Sequence, residues 1–135
     1  VDLQTGVADV TNVWCAVDLG KVFNPRASEG QVEGGVMMGI GYALCEQVVL
    51  EKGENMNPNF RDYKILTAKD TVPIQAPVLE THDPYGPFGA KGIGEPGLVP
   101  TAPAIANAVY DAIGVRITDL PITPEKILTA LNDKQ

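Results

Sequence analysis

The 135-residue chain has the length of one domain, and 44% hydrophobic with 20% charged residues is ordinary for a soluble globular protein. Its formal net charge of −7 argues against a nucleic-acid surface and against an anionic membrane surface, because both need clusters of Lys and Arg. The uncharged stretch at residues 34 to 45 is too short and too glycine-rich to span a bilayer.

The first twenty residues predict a β-hairpin. Apolar and polar residues alternate from Val1, residues 4 to 6 (Gln-Thr-Gly) are a turn signal, and a β-branched run follows as far as Val17. Pro25 then ends the strand, because it restricts Asn24 to extended geometry.

A helix is predicted next, from about Ala27 to Val48, because five apolar residues fall four positions apart and form one stripe. They are Val32, Val36, Ile40, Leu44 and Val48. Ser28 would cap this helix, with Gln31 three residues later as in a capping box. Several glycines lie in the same helix, and each costs up to ~1 kcal/mol relative to alanine. Either close packing in a core or a large ligand against the first turns would account for them.

Short strands and loops are predicted between the first and second helices. Residues 45 to 60 indicate the helix end running into a strand, with a turn at residues 53 to 55. Residues 59 to 70 are typical of a polar connector with some strand character, and residues 76 to 84 of a short strand. Residues 84 to 100 contain four prolines and five glycines and are therefore predicted to be a loop.

Two further helices are predicted towards the C-terminus. Thr101 would cap the second helix, which has an apolar face and ends at Gly114. Residues 115 to 122 predict a short strand. A Thr-Pro pair at residues 123 and 124 then opens a final helix that runs through Leu131. The predicted fold class is α+β, with mixed hairpins and strands and three main helices.

The sequence GAKGIGEPG at residues 89 to 97 surrounds Glu95 with four glycines and a proline. Glycine is used where the backbone takes unusual dihedrals or approaches something closely, so the stretch predicts that Glu95 or its neighbouring amides meet a partner. Residues 92 to 97 match G-x-G-x-x-G, but prolines surround them and no helix follows directly, so a dinucleotide site is rejected. A P-loop is rejected too, because Gly92 follows Lys91 where Ser or Thr is needed.

Two interpretations of Glu95 stay open on these residues alone. The first is an exposed ion pair with Lys91, four residues earlier, worth less than ~1 kcal/mol. The second is a general base, since a rigid Pro-Gly loop can hold one carboxylate within hydrogen-bond reach of a reacting group.

Side chains give no sign of a protein-held metal. His82 is the single histidine and lies beside turn residues, which is typical of a surface position. No cluster of His, Cys and carboxylates is visible, so any metal is expected to arrive on a cofactor. Cys15 and Cys45 are interpreted as free thiols of a cytosolic protein, with a single disulfide as the alternative.

Several sequence blocks, in this order, carry a resemblance to a known family. They are EGQVEGG at 29 to 35, GYAL at 41 to 44, FRDYKILTA at 60 to 68, GPFGAKGIGEPG at 86 to 97, then APAIANAVYDAIGVRI and LPITPEKIL. Together they resemble the C-terminal end of the molybdenum-binding subunit of the xanthine dehydrogenase/aldehyde oxidase family of molybdenum hydroxylases. The similarity covers essentially the whole chain, and its Gln-x-Glu-Gly-Gly and Gly-x-Gly-Glu blocks are highly specific.

The resemblance assigns roles by position. It implies that Glu95 is the catalytic base beside molybdenum, and that Gln31 hydrogen-bonds the molybdopterin from a helix start, where backbone amides also point outward. Four consecutive residues match the loop whose backbone lines the cofactor: Lys91, Gly92, Ile93 and Gly94. No side chain of this chain is expected to ligate the metal.

The resemblance also implies an activity and partners. The chain would be part of a molybdopterin-dependent oxidoreductase that hydroxylates a carbon of an N-heterocycle or an aldehyde with oxygen derived from water. The cofactor would be molybdopterin, as such or as a dinucleotide, with iron–sulfur clusters and FAD on other domains or subunits. Partners would be the remaining molybdopterin-binding segments, the iron–sulfur and flavin subunits and a small-molecule substrate, in the cytoplasm and without nucleic acid or membrane.

Residues 1 to 135 are interpreted as one unit, the C-terminal part of the molybdopterin-binding domain, as a fragment or a split subunit. Two other classes of function are kept: a non-catalytic fragment that completes a larger fold, and a binding module without chemistry. The presence of both Gln31 and Glu95 argues against the first, because a scaffold does not need a lone glutamate in a glycine loop.

Overall fold

Three α-helices, two 3-10 helices (Ala68–Asp70 and Pro87–Gly89) and six two-residue strands form the regular structure in the computed structural model, which describes residues 1 to 133. The helices are α1 (Pro25–Leu44), α2 (Thr101–Ile113) and α3 (Pro124–Asp133). The strands are β1 (Val13–Trp14), β2 (Val17–Asp18), β3 (Leu50–Glu51), β4 (Glu54–Asn55), β5 (Ile74–Gln75) and β6 (Val78–Leu79). The predicted α+β class with three main helices is confirmed. None of these helices is both long and apolar enough to cross a membrane.

The N-terminal strands pair with distant segments, so the predicted hairpin over the first twenty residues is wrong. A turn closes early, where the Gly6 amide donates to the Asp2 carbonyl over 2.8 Å. Beyond it, β1 pairs in parallel with β5, and β2 pairs in parallel with β6. Amides at positions 13, 15, 17 and 19 donate to carbonyls at 73, 75, 77 and 79 over 2.9 to 3.1 Å. Residues 13 to 19 and 73 to 79 thus form one parallel ribbon, and α1 lies in the crossover that parallel strands require.

Helix α1 begins earlier than the sequence predicted. Asn24 is its N-cap: the backbone there is extended, and the side-chain oxygen accepts a hydrogen bond from the Ala27 amide over 3.1 Å. Pro25 takes the first helical position, where a missing N–H costs nothing. The prediction of Ser28 as the cap is therefore wrong, and Gln31 lies in the second turn.

The core forms between α1, α2 and the ribbon. Val32, Val36 and Ile40 of the predicted stripe are buried, whereas Val48 is exposed because the helix has ended at Leu44. Facing them are buried residues from the other elements: Leu19, Ile105, Val109, Ile113, Ile122 and Ile127. Full burial of each such side chain is worth about 1.5–3 kcal/mol, so this cluster holds α1 against α2.

The remaining elements differ from prediction in detail. Strands β3 and β4 form an antiparallel hairpin whose turn is Lys52-Gly53, one residue earlier than predicted. Within residues 1 to 133 there is no strand at 115 to 122, where a strand was predicted; the segment is instead tied to α1 by the Ile122 amide, which donates to the Ala43 carbonyl over 2.7 Å.

The predicted ends of the last two helices are mostly confirmed. Helix α2 ends at Gly114, which takes a left-handed conformation, and α3 begins at Pro124. Thr101 is not the cap of α2 but its first residue. Its buried hydroxyl donates back to the Gly97 carbonyl over 2.7 Å, which fixes the end of the preceding loop.

Candidate functional site

The glycine loop at residues 89 to 97 crosses from the ribbon to α1. At its start, the Lys91 amide donates to the Leu19 carbonyl over 2.9 Å, just beyond β2. At its end, a Cβ on Gly97 would lie 2.7 Å from the Val32 carbonyl oxygen of α1. Gly35 of α1 lies against the same part of the loop, since a Cβ on it would lie 3.1 Å from the Leu98 backbone nitrogen. These two glycines let the loop backbone lie directly on the helix backbone.

Gln31 joins the helix to the loop. Its Nε2 donates to the Gly94 carbonyl oxygen over 2.6 Å, and the side chain is on the exposed surface of α1. The structure therefore brings together two predicted cofactor-binding positions that are far apart in sequence. One part of the prediction is wrong: Gln31 is not at the helix start, because α1 begins at Pro25. The outward-pointing amides of a helix N-terminus therefore do not lie beside Gln31.

Glu95 follows Gly94 directly and is exposed. Its carbonyl accepts a hydrogen bond from the Leu98 amide over 3.1 Å, which makes a tight turn. Among residues 1 to 133, its carboxylate has no hydrogen-bond or ion-pair partner. The ion pair with Lys91 is absent because Lys91 binds another carboxylate. The interpretation of Glu95 as the ion-pair partner of Lys91 is therefore wrong.

The carboxylate that binds Lys91 belongs to Asp18, at the end of β2. Its Oδ2 accepts hydrogen bonds from Lys91 Nζ and Thr81 Oγ1, and its Oδ1 accepts from the amides of Gly20 and Thr81 over 3.0 and 3.2 Å. The bond from Lys91, followed by those from Thr81 and Gly20, holds the pKa of Asp18 well below its ordinary value of 3.8.

Asp18 and Thr81 were missed at the sequence level. An Asp two residues before a glycine is a turn signal, and the Gly20 amide does bond to the Asp18 side chain. Thr81, however, reaches Asp18 only because β2 and β6 pair in parallel. No local pattern predicts that pairing.

Open space and free donors lie beside Gln31. Gly30 and Gly34 share its exposed side of α1, and a Cβ on either would meet nothing within 4 Å. Among the residues that the structure describes, the backbone amides of residues 92 to 95 have no acceptor. By contrast, a Cβ on Gly39 would lie 2.5 Å from the Thr101 Cβ. Close packing against α2 thus explains Gly39. The first two glycines leave room for a large ligand rich in hydrogen-bonding atoms.

Side chains do not form a metal centre in the described part of the chain. No group of three or more His, Cys, Asp or Glu there could hold an ion. His82 is exposed, as predicted, and lies over Gly89, whose Cβ would come within 2.3 Å of the His82 ring. Cys15 and Cys45 are free thiols, and burial raises the pKa of both.

A groove of about 1080 Å³ opens on the other side of the loop's end. Its walls come from α1, α2 and the segments 65 to 71, 98 to 99 and 116 to 120, and they are mostly apolar, with Met37, Leu98 and Ile117 among them. Gln31 and residues 91 to 95 do not line it. The groove is therefore separate from the surface formed by Gln31, Gly30, Gly34 and the loop.

Comparison with known proteins gives consistent matches. The family model described as a molybdopterin cofactor-binding domain matches residues 1–72. The xanthine dehydrogenase molybdenum-binding subunit of Escherichia coli O157:H7 is 39% identical over 129 residues, which cover 94% of this chain and 17% of that protein.

Two solved structures share the fold. Reconstituted CO dehydrogenase from Oligotropha carboxidovorans superimposes with a TM-score of 0.89 at 28% identity, covering 98% of this chain and 17% of that one. Aldehyde oxidoreductase from Desulfovibrio gigas gives a TM-score of 0.83 at 35% identity, covering 98% and 14%. The chain thus spans about a sixth of the length of these relatives.

Proposed function

Because the chain belongs to the molybdopterin cofactor-binding domain family, we propose that it supplies cofactor contacts and the catalytic base of a molybdenum hydroxylase. Its resemblance to the molybdenum-binding subunits of the xanthine dehydrogenase/aldehyde oxidase family is confirmed by the relatives it matches, and the cofactor of that family is molybdopterin. The activity, the substrate and the partners of the whole enzyme belong to the proposal, as do the single-unit organisation of residues 1 to 135 and the cytoplasmic location.

The observation that carries the proposal is the hydrogen bond from Gln31 to Gly94, because it brings the two most specific sequence blocks together next to Glu95. Gln31 keeps its side-chain oxygen for a ligand, while its nitrogen is used by the loop. The amides of residues 92 to 95 offer donors, and Gly30 and Gly34 leave space. A molybdopterin would lie against this surface, held by backbone donors and by Gln31.

The chemistry that the bound cofactor supplies is activation of water as a nucleophile and acceptance of two electrons. The role of this chain is to move a proton. Glu95 carries a carboxylate without a partner in the described residues, and its loop is fixed on both sides. We assign its Oε atoms as the proton acceptor. A positioned general base contributes about 10²- to 10⁴-fold to a rate.

The substrate we propose is an N-heterocycle, hydroxylated at a carbon next to nitrogen, or an aldehyde, hydroxylated at its carbonyl carbon. Exposed aromatic side chains support the proposed partners. Phe60, Tyr85 and Phe88 are 78, 96 and 87% exposed. Such rings are usually covered, and the rest of a molybdenum-binding subunit would cover them. Iron–sulfur and flavin subunits would then receive the electrons.

The test is cofactor content in the assembled enzyme that contains this chain. Gln31→Ala should lower molybdenum and pterin per subunit, because it removes both the loop bond and the amide that faces the ligand. Gln75→Ala is the matched control, since Gln75 is an exposed glutamine on β5, away from the loop. Normal cofactor content in the Gln31 variant would contradict the proposal. An enzyme that contains no molybdenum at all would favour the structural-fragment alternative.

A further inference from the structure

The Asp18 carboxylate holds three separate segments together. Each of its two oxygens accepts two hydrogen bonds. The donors belong to Gly20 just after β2, to Thr81 just after β6 (its amide and its hydroxyl), and to Lys91 in the glycine loop. Lys91 Nζ also donates to Thr81 Oγ1 over 3.0 Å, so the three side chains of Asp18, Thr81 and Lys91 form a closed triangle. We call this triangle the Asp18 clamp.

A neighbouring ion pair shows how the clamp differs from an ordinary surface contact. Lys21 and Glu80 lie at the same end of the ribbon, with 3.1 Å between Nζ and Oε1, and their side chains are 57 and 46% exposed. That pair links only the two strand ends and contributes little. The clamp is less exposed, at 30% for Asp18 and 36% for Lys91, and it alone reaches the loop.

The clamp acts together with a backbone bridge at the start of the loop, where the Lys21 amide donates to the Gly89 carbonyl over 2.8 Å, and with a contact to α1 nearer Glu95. Lys91 is held at the ribbon by its side chain and by its amide, which donates to the Leu19 carbonyl over 2.9 Å. Gly94 is held at α1 by Gln31. Between these anchors lies Gly92, which is exposed and around which a Cβ would meet nothing within 4 Å. Glycine has the most backbone freedom to lose, so the path of this segment depends on its two ends.

We propose that Asp18 is a positioning residue for Glu95, acting through the clamp on Lys91. This inference rests on the proposed role of Glu95 as the base. The clamp sets where residues 92 to 95 lie relative to Gln31. It also occupies the Lys91 ammonium, which would otherwise be free to pair with Glu95, four residues later, and to block its carboxylate.

The experiment compares Asp18→Asn and Lys91→Met with Lys21→Met in the assembled enzyme. Lys21→Met removes a nearby ammonium on the same rim that does not touch the loop. We expect Asp18→Asn and Lys91→Met to lower kcat by about 10- to 100-fold, the size of effect that a misplacement of about 1 Å produces. The rate is compared per molybdenum, because displaced amides of residues 92 to 95 would also hold less cofactor; KM should stay near wild type, and Lys21→Met should change none of these quantities.

A second readout does not depend on the reaction. Hydrogen–deuterium exchange of the residue 91 amide in cofactor-free enzyme reports the anchor directly, because that amide is bonded to the Leu19 carbonyl. It should lose protection in Asp18→Asn and keep it in Lys21→Met. Unchanged exchange together with unchanged kcat per molybdenum would overturn the proposal. A lower melting temperature with normal kcat per molybdenum would also overturn it, because the clamp would then serve stability alone.

The two proposals fail in different ways. If Glu95→Gln keeps normal kcat, the assignment of the base has failed, and the proposal that Asp18 positions a base falls with it. In that case the exchange readout still shows whether the clamp holds the loop. If Glu95→Gln is slow while Asp18→Asn has normal kcat and exchange, only the positioning role is lost.

Discussion

Alanine at two glycines of α1 should change stability in opposite directions. Gly34→Ala places a methyl group in open space on an exposed helical position, so it should raise the free energy of unfolding by about 0.5–1 kcal/mol through helix propensity. Gly39→Ala gains the same propensity, but its methyl would lie 2.5 Å from the Thr101 Cβ. Overpacking of that kind costs about 1–3 kcal/mol. Both variants gain the same helix propensity, so their free energies of unfolding should differ by roughly the overpacking cost.

The assay is chemical denaturation of the cofactor-free protein, followed by metal analysis of the assembled enzyme. Gly34→Ala should unfold at higher denaturant than wild type and Gly39→Ala at lower denaturant. The stabilised Gly34 variant should nevertheless hold less molybdenum, because its methyl group narrows the space beside Gln31. Equal stability of the two variants would refute the packing argument. A stabilised Gly34 variant with full cofactor would refute the placement of the ligand on this side of α1.

Three single substitutions test the helix cap, a turn residue and the Asp18 clamp. Asn24→Ala removes the N-cap bond to Ala27, and denaturation should show a loss of about 0.5–2 kcal/mol, whereas Ser28→Ala should change little. Lys52→Asn should raise the free energy of unfolding by up to ~1 kcal/mol, because Lys52 has left-handed backbone dihedrals, which asparagine tolerates better. The pKa of Asp18 is lower in the folded state, so its stabilisation is present above pH 3.8 and is lost as pH falls below that value. The stability difference between wild type and Asp18→Asn should therefore shrink in acid, and a difference independent of pH would contradict the pairing.

Local signals in the sequence predicted the helices well. The four-residue spacing of Val32, Val36 and Ile40 identified the buried stripe of α1, and Gly114 identified the end of α2. The start of α1 was misplaced because Ser28 and Asn24 are both good caps. The proline after Asn24 favours Asn24 as the cap, because proline is preferred at the first helical position.

Long-range pairing was beyond the local signals. Two-residue strands carry almost no periodicity, and the parallel partners of β1 and β2 lie on the far side of α1 in the sequence. The hairpin prediction failed for this reason, and the Asp18 partner of Lys91 could not be predicted for the same reason. Gln31 and Gly94 were both selected from the resemblance, and the structure joins them by a hydrogen bond; their role towards a cofactor stays a prediction. Thr81 could not be selected, because its contact exists only through the ribbon.

The most direct test of the central claim is the rate at which substrate reduces molybdenum in Glu95→Gln enzyme. Glutamine keeps the shape and hydrogen-bonding capacity of the side chain but cannot take up the proton. Glu29→Gln, on the exposed first part of α1, is the matched control. The account predicts a full molybdenum content in both variants, an unchanged rate in Glu29→Gln, and a rate lowered by about 10²- to 10⁴-fold in Glu95→Gln. Near-normal reduction of molybdenum by substrate in the metal-loaded Glu95→Gln enzyme would contradict it.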